Sequence, residues 1–244
     1  HGLNQLGIKT DFVWVEEETR INTVAQEDSG EWYIRLNEPG PHIPEDAIQS
    51  LLAKAEAYAS KKDIWVAAGS LPQDVPTDFY TQLIHLLKNK GVRVFFDANG
   101  EALRAGLSDP PFLVNPDISE TEDFVGFSIH NYDDAKRAVL PFLRLGVEYV
   151  ALSIDGLGLL LASQQEMMLA TPPKVSIRNV TGAGDALMAG MAYGFARELH
   201  LREIARLGAA FSAVAVATAS LASVKNSDVE AMLPRVEVRT VNVM

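Results

Sequence analysis

The segment that decides the fold is residues 63–99, which read DIWVAAGSLPQDVPTDFYTQLIHLLKNKGVRVFFDAN. The apolar runs at its two ends, DIWVAAGS and VRVFFDAN, are typical of buried strands. Between them, PTDFYTQLIHLLKNKG has the apolar spacing of an amphipathic helix and ends at a glycine, Gly91. A strand, a helix and a second strand in this order predict a parallel sheet whose strands are joined by helices.

The alternation of strands and helices continues along most of the chain. We predict helices over residues 44–59, 131–146, 184–199 and 201–220, and strands over 111–117 and 147–155. Residues 157–163 and 167–173 indicate a late hairpin. The predicted fold is a three-layer αβα sandwich, in which helices cover both faces of a mostly parallel sheet. Ligands of such sheets bind outside the carboxyl ends of the strands.

Residues 11–40 follow a different pattern. The runs DFVWV (11–15), INTVAQ (21–26) and EWYIRL (31–36) are rich in β-branched and aromatic residues, and EDSG (27–30) is typical of a hairpin turn. The next stretch, NEPGPHIP, breaks the pattern with three prolines and a glycine. We therefore predict a small antiparallel sheet over residues 11–37.

Composition limits the classes of partner. The chain has 244 residues and a net charge of −11, which argues against broad binding to nucleic acid or to an anionic membrane. No apolar run reaches the roughly 18 residues that cross a bilayer. The chain contains no cysteine, so thiolate metal sites are excluded, and we expect a reducing, cytoplasmic compartment.

The stretch VTGAGDALMAG, residues 180–190, has two interpretations. Successive amides at Gly182, Ala183 and Gly184 can point at one anion where a helix begins, and the helix dipole favours negative charge there. Asp185 then lies in the first turn, where its carboxylate can accept a proton from an attacking hydroxyl. In the alternative, Thr181 and Asp185 cap the helix and the glycines serve packing.

Two further groups of residues also allow a functional and a structural interpretation. Arg20, in EETRINT (17–23), could hold a phosphate through paired hydrogen bonds, or it could be a solvated strand residue. Asp117 and Glu120 stand three residues apart near a predicted helix start. They could hold Mg²⁺ through water, or they could be acids that the helix dipole stabilises.

Seven stretches together resemble one family, the phosphofructokinase-B or ribokinase-like carbohydrate kinases. They are ETRINT (18–23), LNEPGP (36–41), AAGSLPQDVP (67–76), FFDANGEAL (95–103), PFLVNPDISETE (111–122), VALSIDGLG (150–158) and NVTGAGDALMAG (179–190). The first two stretches and the GSLP sequence within the third are similar to the 1-phosphofructokinase and tagatose-6-phosphate kinase branch. The resemblance implies a ribokinase-like fold with a small β-sheet lid.

The resemblance also implies an activity and a set of site residues. It implies an ATP-dependent kinase that uses Mg²⁺ and phosphorylates a hydroxyl of a sugar or sugar phosphate. Asp185 would be the general base, and the amides of Gly182, Ala183 and Gly184 would form the anion hole. The other implied roles are substrate binding by Arg20, Asn22 and Ser70, nucleotide binding by Asn115, Ser153, Gly158 and Thr181, and magnesium binding by Glu120, Asp117 and Asp97.

The expected substrate is a ketohexose phosphate, namely fructose 1-phosphate, tagatose 6-phosphate or fructose 6-phosphate, which becomes a bisphosphate. By resemblance, residues 11–40 are a lid that closes over the substrate and mediates a homodimer, whereas residues 1–10 and 41–244 form the kinase core. An initial segment that the family pattern contains, with the first sheet strands, is expected to be missing.

Three positions depart from the family pattern. Asn115 replaces a lysine, Asp117 replaces an asparagine and Asp155 replaces a glycine. One positive charge is lost and two negative charges are gained near a polyphosphate, so ATP binding should weaken. Two alternatives therefore stay open: a nucleoside or other sugar kinase of the same family, and a catalytically inactive, degenerate kinase fold.

Overall fold

The computed structural model describes residues 2–26, 33–154, 157–179, 181–219 and 224–242. Its helices are α1 (Gly2–Gln5), α2 (Glu45–Tyr58), α3 (Phe79–Asn89), α4 (Gly100–Gly106), α5 (Ile118–Val125), α6 (Tyr132–Leu145), α7 (Ala183–Ala196), α8 (Leu201–Ala217) and α9 (Asn226–Met232). Its strands are β1 (Thr23–Gln26), β2 (Tyr33–Leu36), β3 (Ile64–Ala68), β4 (Arg93–Asp97), β5 (Leu113–Val114), β6 (Tyr149–Ile154), β7 (Gly158–Ala162), β8 (Met167–Thr171) and β9 (Glu237–Val241). None of the helices in these ranges is long and apolar enough to span a membrane.

The chain divides into two compact units, and the smaller comprises His1–Ala59 and Leu71–Pro76. In this unit β1 and β2 pair antiparallel, which confirms two strands of the small predicted sheet. Residues 11–15, by contrast, form no strand, and the predicted turn at 27–30 lies outside the described residues. The division into a lid of residues 11–40 and a core stays a prediction.

The contacts of Asp11 explain why the run at residues 11–15 is not a strand. Its carboxylate forms an ion pair with Lys54 and accepts a hydrogen bond from the Tyr58 hydroxyl at 2.8 Å. Both partners belong to α2, so side chains tie this segment to a helix and not to the edge of a sheet. Its apolar residues instead stack on each other, with the Phe12 and Trp14 rings edge to face at 5.9 Å.

The larger unit comprises Ser60–Ser70 and Thr77–Met244 and is built on a seven-stranded sheet. The strands follow in the order β3-β4-β5-β6-β7-β8-β9. Neighbours from β3 to β6 are parallel, as the strand-helix alternation predicts. Neighbours from β6 to β9 are antiparallel, and β7 and β8 form the predicted late hairpin. The α/β class is confirmed.

Adjacent residues on β4 show that helices cover both faces of this sheet. Phe95 is fully buried and packs edge to face against Phe195 of α7, with ring centroids 5.6 Å apart. The next residue, Phe96, is equally buried and packs against Tyr80 of α3 at 5.1 Å. Because successive side chains of a strand point to opposite faces, α7 and α3 lie on opposite sides of the sheet. The three-layer prediction is therefore confirmed.

Three elements of the larger unit were not predicted. Helices α4 and α9 have seven residues each, which is too short for a 3.6-residue apolar period to repeat. Strand β9 reads EVRTV and leaves most of its side chains exposed, so its apolar signal is weak. It is held by backbone pairing to β8, with Leu169 opposite Arg239. Amino-acid composition does not reveal such backbone pairing.

Candidate active site

The carboxyl ends of β3 and β4 are joined by backbone and side-chain hydrogen bonds. The Gly69 amide, one residue beyond β3, donates to the Asp97 carbonyl at the end of β4 at 3.0 Å. The Tyr80 hydroxyl of α3 in turn donates to the Gly69 carbonyl at 2.7 Å. Gly69 has φ of 106°, a conformation that glycine adopts at least cost. The exposed Ser70 is therefore carried at the same edge of the sheet as Asp97.

Asp97 faces the start of α7. A Cβ atom placed on Gly184 would lie 3.8 Å from Oδ2 of Asp97, so the carboxylate comes within van der Waals reach of the glycine-rich turn. Burial, together with the negative charges of Asp185 and Asp117, raises the pKa of Asp97 to about 6. The structure thus brings three acidic residues that lie far apart in sequence to one place.

Asp117 and Glu120 form a capping box at the start of α5. The Asp117 side chain accepts from the Glu120 amide at 2.8 Å, and the Glu120 side chain accepts from the Asp117 amide at 2.9 Å. Burial and repulsion from Asp117 and Asp97 raise the pKa of Glu120, the hydrogen bond from the Asp117 amide opposes the rise, and the resulting pKa is about 7. The pair thus caps the start of α5 and is also linked electrostatically to Asp97, and its role in holding magnesium stays a prediction.

No side chain caps the beginning of α7. The N-cap residue is Gly182, with φ of 80°, and it has no side chain to offer. Thr181 does not cap the helix; its own amide donates to Oδ1 of Asn179 at 2.9 Å. The first-turn amides of a helix lack partners within the helix, and the helix dipole makes this end attractive to anions. Asp185 is exposed in the same turn, beside any anion held there.

Asn115, a predicted nucleotide ligand, is buried between strands. It is only 5% exposed, and its Nδ2 donates to the Ala151 carbonyl of β6 at 2.7 Å. Because a carbonyl can only accept, this bond fixes which end of the amide is nitrogen. The other end, Oδ1, is buried without a hydrogen-bond partner in the described part of the chain. What this side chain could offer a ligand is therefore an acceptor.

Ser153 and Gly158 lie at the same end of the first antiparallel pair, where Ser153 is opposite Leu159 and Gly158 is opposite Ile154. Ser153 belongs to β6, and Gly158 begins β7 with φ of 108°. A Cβ atom on Gly158 would collide with the Ala170 carbonyl of β8 and lie 3.1 Å from the Thr171 Cα. Only glycine allows this close approach of two strands. Residues 155 and 156, which include the departure at Asp155, lie outside the described residues.

Arg20 and Asn22, the predicted sugar-phosphate ligands, lie in the smaller unit just before β1. Arg20 is half-buried beside Gly40. A Cβ atom placed on Gly40 would lie 3.6 Å from Cδ of Arg20 and 3.5 Å from the side chain of Pro72. Asn22 is exposed. The ETRINT and LNEPGP stretches, separate in sequence, thus meet within this unit.

The acidic residues are chemically suited to a hydrated magnesium ion. No group of three or more His, Asp or Glu side chains in the described ranges is close enough to bind a metal directly. Mg²⁺, however, keeps several waters and needs only one or two carboxylates together with substrate phosphates. The pKa values of Asp97 and Glu120 are raised by burial and partly by repulsion from neighbouring carboxylates, which a nearby cation would relieve. The donor set therefore fits the ion.

A cleft of the larger unit lies elsewhere. It has a volume of about 540 Å³ and is lined by the end of α7, the start of α8 and the turn at Leu233–Arg235. Its residue Tyr193 lies eleven positions after Gly182, which is roughly 16 Å along the helix. The cleft is mainly apolar and holds a single acid, Glu203.

A family model described as pfkB family carbohydrate kinase matches residues 1–227. This chain belongs to the pfkB family of carbohydrate kinases. It is 30% identical over 212 residues to 1-phosphofructokinase of Vibrio cholerae, a match that covers 87% of this chain and 67% of the relative. It is also 30% identical over 236 residues to 1-phosphofructokinase of Bacillus subtilis, with 97% and 76% covered.

A solved structure extends the likeness to three dimensions. The structure of phosphofructokinase-2 from Escherichia coli in complex with potassium is similar with a TM-score of 0.86 and 26% identity, over 95% of this chain and 75% of that one. The tetrameric inhibited form of the same protein is similar with a TM-score of 0.84. The family and the fold predicted from the motifs are thus confirmed for this pfkB-family kinase.

Sequence reasoning missed the hydroxyl groups that support the site of this pfkB-family kinase. Tyr80 holds the Gly69 carbonyl, and both Tyr132 and Thr171 donate to the Leu157 carbonyl. None of the three stands in a glycine-rich or acidic motif, and each acts on backbone of another element. No local sequence signal distinguishes such a hydroxyl from an ordinary helix or strand residue.

Proposed function

We propose that this kinase transfers the terminal phosphoryl group of ATP to a hydroxyl of a ketohexose phosphate and so forms a bisphosphate. The observation that carries the proposal is the uncapped N-terminus of α7, which presents Asp185 beside the acidic residues Asp97, Asp117 and Glu120. An anion-binding turn, a base and a site for a hydrated cation are the parts that phosphoryl transfer requires. The curated relatives named 1-phosphofructokinase support fructose 1-phosphate as the first substrate to test.

Asp185 acts as the general base in the proposed mechanism. Phosphoryl transfer makes little demand on covalent chemistry, so alignment and charge neutralisation supply most of the catalysis. An exposed carboxylate is a weak base for an alcohol, yet it can accept the proton late, as the sugar oxygen bonds to phosphorus. The amides of Gly182, Ala183 and Gly184 hold the negative oxygens of the phosphoryl group meanwhile.

The acidic edge and the β6–β7 region form the nucleotide side of the proposal. Asp97, Asp117 and Glu120 would hold Mg²⁺ through water, and the bound ion supplies charge neutralisation to the ATP phosphates. Asn115, Ser153, Gly158 and Thr181 line the nucleotide. Because Asn115 offers an acceptor where the family pattern has lysine, we expect weaker binding of the phosphates than a lysine would give.

Arg20, Asn22 and Ser70 form the sugar side of the proposal. Arg20 offers a fixed pair of donors for a phosphate, and a cation at this position has no use in binding a neutral nucleoside. Residues 11–40 act as a lid that excludes water, which would otherwise compete as phosphoryl acceptor.

Residues 11–40 also form the proposed homodimer contact. Val24, Ile34 and Leu36 are exposed apolar side chains on β1 and β2, and a two-stranded sheet leaves strand edges to pair. A phosphofructokinase-2 structure that is similar in fold is described as tetrameric, which is in keeping with association. Sedimentation of wild type and of Ile34→Lys would test this, because a monomeric wild type contradicts it.

An ADP-release assay on a substrate panel tests the function. Wild type should turn over a ketohexose phosphate and leave nucleosides untouched. Asp185→Asn should lower kcat by about 10²- to 10⁴-fold while the melting temperature is retained. Arg20→Ala should raise KM for the sugar phosphate more than KM for ATP.

Three results would count against the proposal. Full turnover by Asp185→Asn would refute the base. An unchanged affinity of Arg20→Ala for sugar phosphates would favour a nucleoside kinase. The remaining alternative is a catalytically inactive, degenerate kinase fold. Calorimetric titration with ATP and Mg²⁺ tests it, and a wild type that binds no nucleotide would support it.

A further inference from the structure

The carbonyl of Leu157 accepts two hydroxyl hydrogen bonds from two different elements. The Tyr132 hydroxyl, at the first residue of α6, donates to it at 3.0 Å, and Oγ1 of Thr171, at the end of β8, donates at 3.1 Å. A carbonyl oxygen has two lone pairs, so these bonds satisfy it fully. The Leu157 amide is also held, since it donates to the Ile154 carbonyl at the end of β6 at 3.0 Å.

The next residue fixes the same backbone by contact. Gly158 lies so close to the Ala170–Thr171 peptide of β8 that no Cβ atom fits between them. Its φ of 108° is accessible to glycine at little cost. The Leu157–Gly158 peptide is therefore held on one side by β8 and on the other by α6.

Tyr132 is itself held in place from two directions. The preceding residue, Asn131, caps α6 by accepting hydrogen bonds from the amides of Asp133 and Asp134 at 2.8 and 3.0 Å. The guanidinium of Arg239, on β9, lies over the Tyr132 ring at 4.9 Å from its centroid. The Tyr132 ring is thus placed by α6 and contacted by β9.

We propose that Tyr132 and Thr171 are positioning residues for the nucleotide, which act through the Leu157 carbonyl. This inference rests on the proposed function, in which Gly158 and Ser153 line the nucleotide. Each hydroxyl already donates its hydrogen to Leu157, so neither can donate a hydrogen bond to the nucleotide at the same time. Their role is to keep the Leu157–Gly158 backbone in one conformation, so that ATP binding does not have to order it. Removing one hydroxyl leaves the Leu157 carbonyl with one donor. ATP binding must then order the Leu157–Gly158 backbone, which makes the free energy of binding less favourable.

The test compares hydroxyl-deleting variants of the full chain with matched controls. Tyr132→Phe retains the ring under Arg239, and Thr171→Val retains the shape of threonine. Tyr193→Phe is the tyrosine control, since its ring also lies under an arginine, Arg197, at 5.0 Å. Thr81→Val is the threonine control, because its hydroxyl also donates to a backbone carbonyl, that of Ala105, at 2.8 Å.

We expect each hydroxyl deletion to raise both the KM for ATP and the calorimetric Kd for ATP by about two- to tenfold. The KM for the ketohexose phosphate and the melting temperature should stay at their wild-type values, and neither control should alter the ATP constants. Thr171→Ser, which restores a donor, should bring the Kd back toward wild type.

Two results would overturn the positioning role. One is an unchanged Kd for ATP in both Tyr132→Phe and Thr171→Val. The other is a parallel rise of both KM values together with a lower melting temperature, which would indicate a purely structural role. The Kd for ATP can be measured without turnover. A wild type that binds ATP but phosphorylates no sugar phosphate would therefore contradict the proposed function, whereas the comparison of Kd values would still test the positioning role.

Discussion

Replacing Asp97 by asparagine should stabilise the protein at neutral and alkaline pH. Asp97 lies at the end of β4 against the start of α7, where burial and the charges of Asp185 and Asp117 disfavour its ionised form. Asparagine has the same shape and no charge, so the substitution removes this penalty. A residue retained for catalysis at the cost of stability should behave in this way.

The size and sign of the effect follow from the pKa. A rise of the Asp97 pKa from 3.8 to about 6 corresponds to about 3 kcal/mol of unfolding free energy. Solvent reaches part of the group, and three acids share the repulsion, so we expect about 1–2 kcal/mol. Because the folded pKa is the higher one, the stability contribution is complete below about pH 4 and is lost as the pH rises through about 6. The advantage of Asp97→Asn should therefore be full at about pH 8 and small at about pH 4.

Urea unfolding followed by tryptophan fluorescence measures this difference. Trp65 lies on β3 opposite Val94 of β4 and reports on this part of the sheet. Asp123→Asn, an exposed acid on α5, is the control for removing one charge from an acidic chain. A midpoint for Asp97→Asn at about pH 8 that does not exceed that of wild type would refute the reasoning. An equal gain at both pH values would also refute it, because the effect would then not arise from ionisation.

Two further predictions concern stability. Gly158→Ala should lower the unfolding free energy by more than about 3 kcal/mol, because its Cβ would collide with the Ala170 carbonyl at a positive φ. The control in the same urea titration is Gly2→Ala, which lies in open space at negative φ and should change the midpoint little. A Gly158→Ala variant as stable as wild type would show that the strands can separate. Asp117→Ala should lower the unfolding free energy by about 1 kcal/mol because it removes the cap of α5, and Asp117→Ser should retain most of that stability. Equal urea midpoints for the two variants would contradict the capping role of this side chain.

The parts of the fold with strong periodic signals could be predicted from the sequence. The strand-helix-strand pattern of residues 63–99 gave β3, α3 and β4 because their apolar residues are buried in a regular rhythm. The short helices α4 and α9 could not be found by period, and β9 depends on backbone pairing. Residues 11–15 had the composition of a strand, yet side-chain bonds from Asp11 to α2 determine their conformation.

The candidate site could be predicted as a set of motifs but not as a set of interactions. Glycine-rich sequence predicted the turn before Asp185, and the turn indeed begins with a positive φ at Gly182. Spacing alone could not show that Asp97 lies against that turn, because this depends on how β4 and α7 pack. It also could not show that the Asn115 amide is directed into the sheet, where it binds Ala151. Roles for the individual residues stay predictions until the variants are measured.

The strand order of the large sheet has a consequence for synthesis on the ribosome. From β3 to β9 every strand pairs with the one directly before it in the chain. Each strand after β3 therefore finds its neighbour already made, and this part of the sheet can grow from β3 to β9 as the chain emerges. In the described part of the chain, the α7 turn follows every strand of the large sheet except β9. The N-terminus of α7 is thus added to a sheet whose edge of acidic residues is already in place.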